Sequence, residues 1–399
     1  MQKAIYDEIF ERISDGAVMI DFWDGTSKQY GQGKPNFTLK LNRPVSVAGF
    51  VSDPVTELGE AYIDGGIDVN GDLDEALNWV MANRKNMLTT RKGRVASQII
   101  SAVSKRTCDG SGKKDIAFHY DLGNDFFSLW LDETMSYSCA YFNNPEDTLK
   151  QAQLQKIDHT LKKLNLKPGE TLLDIGSGWG WLIIRAAQQY GVQALGITLS
   201  EEQYAKSNER IAELGLEDSV AVQLMDYRDL PETGKSFNKI ASVGMLEHVG
   251  KGNLGVFMSA VRNLLNSGGL ALIHSITNLT EGVPNAWIQK YIFPGGYIPS
   301  LRQLVWMLPE YQLHVLDIES LRMHYAMTLD RWSEKYEKFF EQVKNERGER
   351  FARMWRLYLK SCAASFRTTG LDIHQILVSN GLNNQLPFTR RHLYQEANF

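Results

Sequence analysis

At 399 residues, with 43% hydrophobic and 23% charged residues, the chain is long enough for two or three globular domains with ordinary cores. Its formal net charge of −4 excludes a broadly basic nucleic-acid binder, so no nucleic-acid partner is expected. Three cysteines, Cys108, Cys139 and Cys362, are too few and too scattered for a disulfide framework or a zinc site, which fits a reducing cytosol; no metal site is expected.

The start, MQKAIYDEIFERI, places acids among its apolar residues and so lacks the continuous apolar region of a signal peptide. No later run approaches the length of a membrane span, so the chain is expected to be soluble or peripheral. Residues 1–83 form a candidate first domain. Ile5, Ile9 and Ile13, with Phe10, recur at helical spacing, whereas Phe37 to Leu41 and Val45 to Phe50 alternate as strands do. Gly31-x-Gly33, Gly65-Gly66 and Asn70-Gly71 supply turns, and Asp72 to Met81 reads as a helix with acid in its first turn. A small α+β unit follows, with no catalytic constellation. Residues 1–83 carry six Lys/Arg against fourteen Asp/Glu, and residues 84–114 carry nine Lys/Arg against Asp109 alone. The basic stretch 84–115, which contains Gly110-Ser111-Gly112, reads as a linker that could dock on an anionic bilayer, each basic residue contributing about 1 kcal/mol. A solvated charge run is the plainer alternative.

From Phe118 the chain becomes aromatic, with Phe126, Phe127, Trp130, Tyr137, Tyr141 and Phe142, interrupted by the polar Tyr137-Ser138-Cys139. Strands at 172–175, 193–198, 220–225, 239–243 and 270–276 then alternate with helices near 179–190, 200–214 and 253–266, which specifies an α/β fold with a mainly parallel sheet covered on both faces. Ligands of such sheets sit beyond the carboxyl ends of the strands, so Gly176, Gly178, Thr198 to Gln203, Asp226, Tyr227, Glu247 and His274 to Ile276 draw attention. Glu281 to Leu308, aromatic and broken by proline, reads as a pocket wall or lid. Helices at 328–344 and 347–366 precede a last strand at 373–379.

The stretch Thr171 to Tyr190 reads as a short buried strand, a glycine turn and a helix. Its D-I-G-x-G-x-G spacing differs both from the dinucleotide pattern and from the phosphate-cradling loop, and no Lys-Ser/Thr pair follows. It resembles motif I of the S-adenosylmethionine-dependent methyltransferases. Together with HYDLGNDF (119–126), MSYSCAYF (135–142), GITLSEEQ (196–203), EHVG (247–250), YIFPGGYIPS (291–300) and LPFTRRHLY (386–394), it makes the chain resemble the cyclopropane fatty acid synthase family. Residues 1–90, especially 57–73, look like the amino-terminal lipid-handling domain of the two-domain bacterial members, so the resemblance implies a lipid- or membrane-associated role for residues 1–83. Ser177, often cysteine in the family, and Trp181, commonly a small residue, are departures that remove no backbone donor.

The resemblance implies a Rossmann-like class I methyltransferase domain at 116–399. It implies transfer of a methylene unit from S-adenosylmethionine to the cis double bond of an acyl chain in a membrane phospholipid. A bound bicarbonate would take the proton lost on ring closure, held by Cys139, Glu247, His274, the backbone of Ile276 and the phenol of Tyr325. Glu247 suits an anion only if bicarbonate offers its own hydroxyl or a proton is shared. Cofactor contacts are implied for Tyr137, Ser138, Asp174, Gly176, Gly178, Thr198, Ser200, Gln203, Asp226 and Tyr227. The plainer readings keep Cys139 as a small buried hydrophobe, His274 as a core histidine and Asp226 as a helix cap. The resemblance further implies an unsaturated phospholipid substrate, peripheral binding to the inner face of the membrane from the cytoplasm, and a homodimer. Rival readings are a methyltransferase that leaves a methyl branch or acts on small amines, and a lipid-binding protein without activity.

Overall fold

The computed structural model of the chain describes residues 2–13, 15–46, 49, 53–88 and 122–394. Most of the basic stretch 84–115, and His119, Tyr120 and Asp121, lie outside the described residues. The chain divides into two compact units. One comprises Met1–Cys108, Pro284–Pro294 and Leu329–Gly370; the other comprises Asp109–Val283, Gly295–Thr328 and Leu371–Phe399.

The first unit opens with α1 (Gln2–Phe10), β1 (Ala17–Asp21), β2 (Ser27–Gly31), β3 (Thr38–Leu41), α2 (Pro54–Ile63), β4 (Ile67–Asn70) and α3 (Leu73–Leu88). Its sheet has the order β2-β1-β3-β4, with β1 and β3 parallel and the other neighbours antiparallel. Val18 and Ile20 alternate inward from β1 and meet Tyr6, Ile9 and Phe10 of α1 in one buried cluster. The strand expected at Val45 to Phe50 does not form over Val45 and Ser46, and residues 47, 48 and 50 lie outside the described residues. The Tyr6 hydroxyl takes the place of a strand partner, accepting from Val45 N at 2.8 Å and donating to Val45 O at 2.7 Å. Asp53 caps α2 by accepting from Thr56 N at 3.2 Å, with Pro54 in the first turn, where its missing N–H costs nothing.

The second unit holds α4 (Asn124–Trp130), α5 (Leu149–Leu164), β5 (Thr171–Ile175), α6 (Trp181–Tyr190), β6 (Gln193–Thr198), α7 (Glu201–Glu213), β7 (Val220–Leu224), β8 (Phe237–Val243), α8 (Leu254–Leu264) and β9 (Leu265–Thr277). Next in the chain come α9 (Ala286–Tyr291), α10 (Leu301–Glu310), β10 (Leu313–Ser320), α11 (Arg322–Arg347), α12 (Glu349–Thr368), β11 (Asp372–Asn380) and α13 (Arg391–Tyr394). The seven strands of the second unit order as β10-β11-β9-β8-β5-β6-β7. From β9 to β7 all neighbours are parallel, and β11 is antiparallel to both β9 and β10. This is the Rossmann-like α/β sheet that was expected, and its strand order reverses between β5 and β8, where open sheets of this kind hold their ligands.

Residues 284–294 and 329–370, expected from the sequence to belong to the catalytic region, group instead with the first unit. The amphipathic pattern of α12 explains this, because one face carries polar anchors for the first unit's elements. Arg353 donates to Tyr62 O at 2.7 Å and Ile67 O at 2.8 Å, and Lys360 pairs with Asp74 at 2.5 Å. The helix expected from Thr328 begins at Arg322, and the one expected over 72–81 extends to Leu88. Among the described residues, no helix is long and apolar enough to cross a membrane.

Candidate active site and cofactor pocket

β5 ends at Ile175, and the backbone N–H groups of Gly176 and Ser177 both turn to Ile197 O of β6 at 3.0 Å. That bend needs φ of +82° at Gly176 and +53° at Gly178, a region closed to most side chains. A Cβ on Gly176 would also lie 2.9 Å from Met245 Cγ, whereas a Cβ on Gly178 would enter open space. The open space is a cavity at the ends of β5, β6 and β8, about 1270 Å³ counted out to its mouth. Tyr137, Ser138, Asp174, Gly176, Gly178, Thr198, Gln203, Asp226 and Tyr227 all line it.

Ser200 is not on that wall; its hydroxyl caps α7 by accepting from Gln203 N at 3.3 Å. Thr198 Oγ1 donates to Gln203 Oε1 at 2.8 Å, which holds both side chains at the end of β6. The carboxylate of Asp226 accepts from Arg228 Nε at 2.9 Å and Nη2 at 2.6 Å, a local ion pair at the cavity edge. Tyr137 packs edge-on against Trp130 with ring centroids 5.1 Å apart, so the aromatic run after α4 fixes that part of the wall.

Lys156, which the sequence analysis did not single out, also lines the cavity. It is buried on α5 and donates from Nζ to Ser138 Oγ at 3.0 Å. Burial draws its pKa down to about 8, against the opposing pull of Asp132, Cys139 and Asp174. Burial likewise raises Asp174 to about 7, with the Lys156 charge pulling it back. Asp174 Oδ1 is buried and has no hydrogen-bond partner among the described residues. A signal for α5 does exist: Thr148 and Gln151 form a reciprocal capping box that starts the helix.

These features fit S-adenosylmethionine. An unpartnered carboxylate oxygen suits a cationic ligand, and the bare backbone at Gly178 leaves room for close approach.

The residues expected to do chemistry, Cys139, Glu247, His274, Ile276 and Tyr325, do not line this cavity; Glu247 and Ile276 meet at the end of β9. Glu247, in a short 3₁₀ turn after β8, accepts from Ile276 N at 2.6 Å through Oε1, while its buried Oε2 has no partner among the described residues. Burial raises Glu247 to about 6, and the Ile276 N–H restrains that rise. His274 faces Gln375 directly across the β9–β11 ladder, with Gln375 Nε2 3.3 Å from His274 Nδ1. Gln375 Nε2 also donates to Thr160 Oγ1 at 3.3 Å, and that hydroxyl in turn donates to Lys156 O. An acceptor role for His274 Nδ1 would leave the ring proton on Nε2. Nε2 is buried without a partner among the described residues, and burial holds the imidazole well below its ordinary pKa, so it is neutral.

Cys139 is fully buried, and its thiol points at Ala140 O, 3.2 Å away, and Leu321 O, 3.9 Å away. Burial pushes the thiol's pKa up, which makes it a neutral donor and not a nucleophile. Leu321 O is also the acceptor for Tyr325 N at 3.0 Å, and Leu321 N bonds Ile373 O at 2.8 Å, opposite Ile276 in the ladder. Cys139, Tyr325, Ile276 and Glu247 are thereby tied to one end of the sheet. The Lys156 charge is felt at both Cys139 and His274, opposing the rise of the first and adding to the fall of the second.

A family model described as Mycolic acid cyclopropane synthetase matches residues 109–376, and a domain of unknown function (DUF7884) matches residues 5–92. Over 339 residues the chain is 37% identical to cyclopropane-fatty-acyl-phospholipid synthase of Escherichia coli, covering 84% of this chain and 85% of that one. It is 38% identical over 386 residues to a probable fatty acid methyltransferase of Pseudomonas putida, covering 94% and 96%. The structure of the cyclopropane synthase MmaA2 from Mycobacterium tuberculosis shares 33% identity with a TM-score of 0.63, covering 67% of this chain and 98% of that one. A structure of mycolic acid cyclopropane synthase CmaA1 complexed with SAH and CTAB aligns with 35% identity and a TM-score of 0.63, covering the same shares.

Proposed function

Because the chain belongs to the mycolic acid cyclopropane synthetase family of S-adenosylmethionine-dependent methyltransferases, we propose that it converts the cis double bond of an unsaturated phospholipid acyl chain into a cyclopropane ring. The observations that support this reading are the Gly176–Gly178 cavity and, outside its lining, the buried Glu247 carboxylate bonded to Ile276 N together with buried His274 and Cys139.

S-adenosylmethionine, when bound, supplies an electrophilic methyl group. Tyr137, Ser138, Asp174, Gly176, Gly178, Thr198, Gln203, Asp226 and Tyr227 would hold it, with Ser200 acting through the cap of α7. Closing a three-membered ring requires a proton to leave a carbon next to positive charge, so the surroundings must accept that proton without adding to the carbon. The cluster suits this. Cys139 is kept protonated, and Glu247 is restrained by the Ile276 N–H, so neither is a free nucleophile.

Bicarbonate would fit here, since His274 Nε2 and Glu247 Oε2, both buried without a partner among the described residues, would offer it a donor and a shared proton; there it would act as the base. Cys139, the Ile276 backbone and Tyr325 would complete its surroundings. Glu247, near half protonation around pH 6, would donate to that anion or accept from its hydroxyl, and His274 would orient it.

The substrate's setting belongs to the same proposal: an unsaturated phospholipid presented by an anionic membrane surface, met from the cytoplasmic side by a peripheral protein that pairs as a homodimer. The basic stretch 84–115 is the natural bilayer contact. Reversing Arg91, Lys92 and Arg94 together should weaken binding to anionic vesicles and its salt sensitivity, and undiminished binding would remove that contact from the reading.

Incubation of the purified chain with unsaturated phospholipid vesicles and labelled cofactor, followed by acyl-chain mass spectrometry, tests the activity. Gain of one CH₂ with loss of the double bond is the expected product. The Pseudomonas relative's description favours a second reading, methyl-branching of a fatty acid; a product that gains carbon yet keeps its unsaturation would select it.

A further inference from the structure

The face of α5 that covers the sheet is polar. Gln153, Lys156, Thr160 and Lys163 recur on it at helical spacing, with His159 beside them, and all five are buried. Polar groups are buried at a cost unless they are bonded, so the partners of this stripe are informative. Its first two members serve the cofactor side, where Gln153 Nε2 donates to Ser138 O at 2.9 Å and Lys156 Nζ to Ser138 Oγ at 3.0 Å. His159, Thr160 and Lys163 lie off the cofactor cavity and turn to the antiparallel end of the sheet.

His274 on β9 stands directly opposite Gln375 on β11, and Gln375 stands directly opposite Glu319 on β10. Residues opposite one another in antiparallel ladders share a face, so the three side chains form one row from the buried histidine to the outermost strand. α5 covers that row. Thr160 Oγ1 lies 3.3 Å from Gln375 Nε2, which lies 3.3 Å from His274 Nδ1. At the far end, Glu319 Oε2 accepts from two residues of the same helix, His159 Nε2 at 2.7 Å and Lys163 Nζ at 2.5 Å. Glu319 thus fastens the helix that bears on the other end of the row.

A second branch leaves the same carboxylate. The His159 ring stacks on Tyr141 at 4.3 Å, and Tyr141 stacks on His324 at 4.7 Å. His324 Nδ1 accepts from Phe142 N at 3.0 Å, so the stack joins the segment after Cys139 to the residue before Tyr325. Charge follows the same lines. Burial would raise Glu319, but the bond from His159 and the Lys163 ammonium outweigh it and bring it to about 2, so the carboxylate is ionised. After burial itself, Lys156, Lys163 and His159 oppose a proton on His274, and Glu319 alone among these neighbours favours one.

We propose that Glu319 is a positioning residue for ring closure, one that holds α5 against β9, β11 and β10 through His159 and Lys163 and fixes the His274 imidazole by way of Thr160 and Gln375. This rests on the proposed function, in which His274 orients the base.

Glu319→Gln keeps the shape and removes the charge, and Thr160→Val keeps the shape and removes the hydroxyl between the two ends. In each, turnover on unsaturated phosphatidylglycerol vesicles should fall about fivefold, with the KM for vesicles and the affinity for S-adenosylhomocysteine unchanged. Because the path runs through Gln375, adding Glu319→Gln to Gln375→Leu should cost little beyond the second change alone, whereas independent defects multiply. The ring nitrogens of His274, followed in the full chain with isotope-labelled histidine and assigned by His274→Asn, should shift in both single variants. Those of His248, at the cofactor cavity, should stay in place. Should Glu319→Gln not fold, Lys163→Met releases the other side of the same contact and gives the same readouts. If the unaltered chain forms no cyclopropane, the functional reading fails, and the ring resonances still decide what places His274. Unmoved His274 resonances in a folded Glu319→Gln, losses that multiply in the double variant, or affinity for S-adenosylhomocysteine that falls with turnover would overturn the proposal.

Discussion

Lys156 Nζ and Ser138 Oγ lie 3.0 Å apart, joining the middle of α5 to the aromatic segment after α4. The contact matters because the same ammonium is the nearest compensation for buried Asp174 and a charge felt by Cys139 and His274. Removing that charge leaves the buried Asp174 without its compensation. Lys156→Met should therefore lower the thermal midpoint and raise the dissociation constant for S-adenosylhomocysteine at least tenfold. Calorimetric titration checks this, and an unchanged constant in a folded variant refutes it.

Glu247 gives a pH signature. Its carboxyl titrates near 4.5 in the unfolded chain and about 6 in the folded one, so the folded state holds the proton more tightly between those values. The stability this provides is complete below about pH 4.5, declines as pH rises to about 6, and is gone above. Glu247→Gln should flatten the fall in unfolding free energy across that window. Parallel denaturant titrations of both proteins, showing the same slope, would count against it.

At Gly178 the backbone φ of +53° and the open space beside it make a separable prediction. Ala there pays the left-handed penalty of about 1–2 kcal/mol but meets no neighbour, so the fold should survive. The added methyl group projects into the cofactor cavity, and affinity for S-adenosylhomocysteine should drop more than tenfold. A variant that binds normally would show that this part of the turn is not a ligand surface.

Gln375 holds His274 through Nδ1 and is itself buried, so Gln375→Leu keeps the volume and removes the bond. Turnover on unsaturated vesicles should fall about tenfold while the KM for vesicles and the affinity for S-adenosylhomocysteine stay put. A rise in KM at constant turnover would assign Gln375 to substrate binding instead.

In the first unit, Arg353 satisfies two backbone carbonyls and Asp68 together. Arg353→Met should destabilise that unit by about 1–3 kcal/mol, because part-buried acceptors are left without a donor. Hydrogen exchange should rise at residues 62–68 and not in β5 or β6. Uniform exchange across both units would contradict a local effect.

Much of the catalytic sheet is legible from pattern alone. The strand expected at 193–198 is β6 to the residue, and β5, β7 and β8 shift by at most two residues at an end. These are continuous apolar runs between glycine or polar turns, and burial on both faces is what such runs encode. α5 is harder to find, because Lys156, His159, Thr160 and Lys163 place polar groups on its buried face. Hydropathy reads that face as solvated, although each of these side chains is buried against a partner. β1 and β10 are short or half-exposed, with weak alternation. Pairings across long separations, such as His274 with Gln375, are set by the register of β11 on β9, which no local pattern carries.

The first unit takes its segments from three separate stretches of chain, and the last of them ends at Gly370. During synthesis its four-stranded sheet therefore emerges long before α12, with Asp68, Asp74 and the carbonyls of Tyr62 and Ile67 waiting for Arg353 and Lys360. A ribosome must translate most of the methyltransferase domain before the amino-terminal part can lock, and cutting the polypeptide near residue 115 would sever a helix pair from the surface it completes.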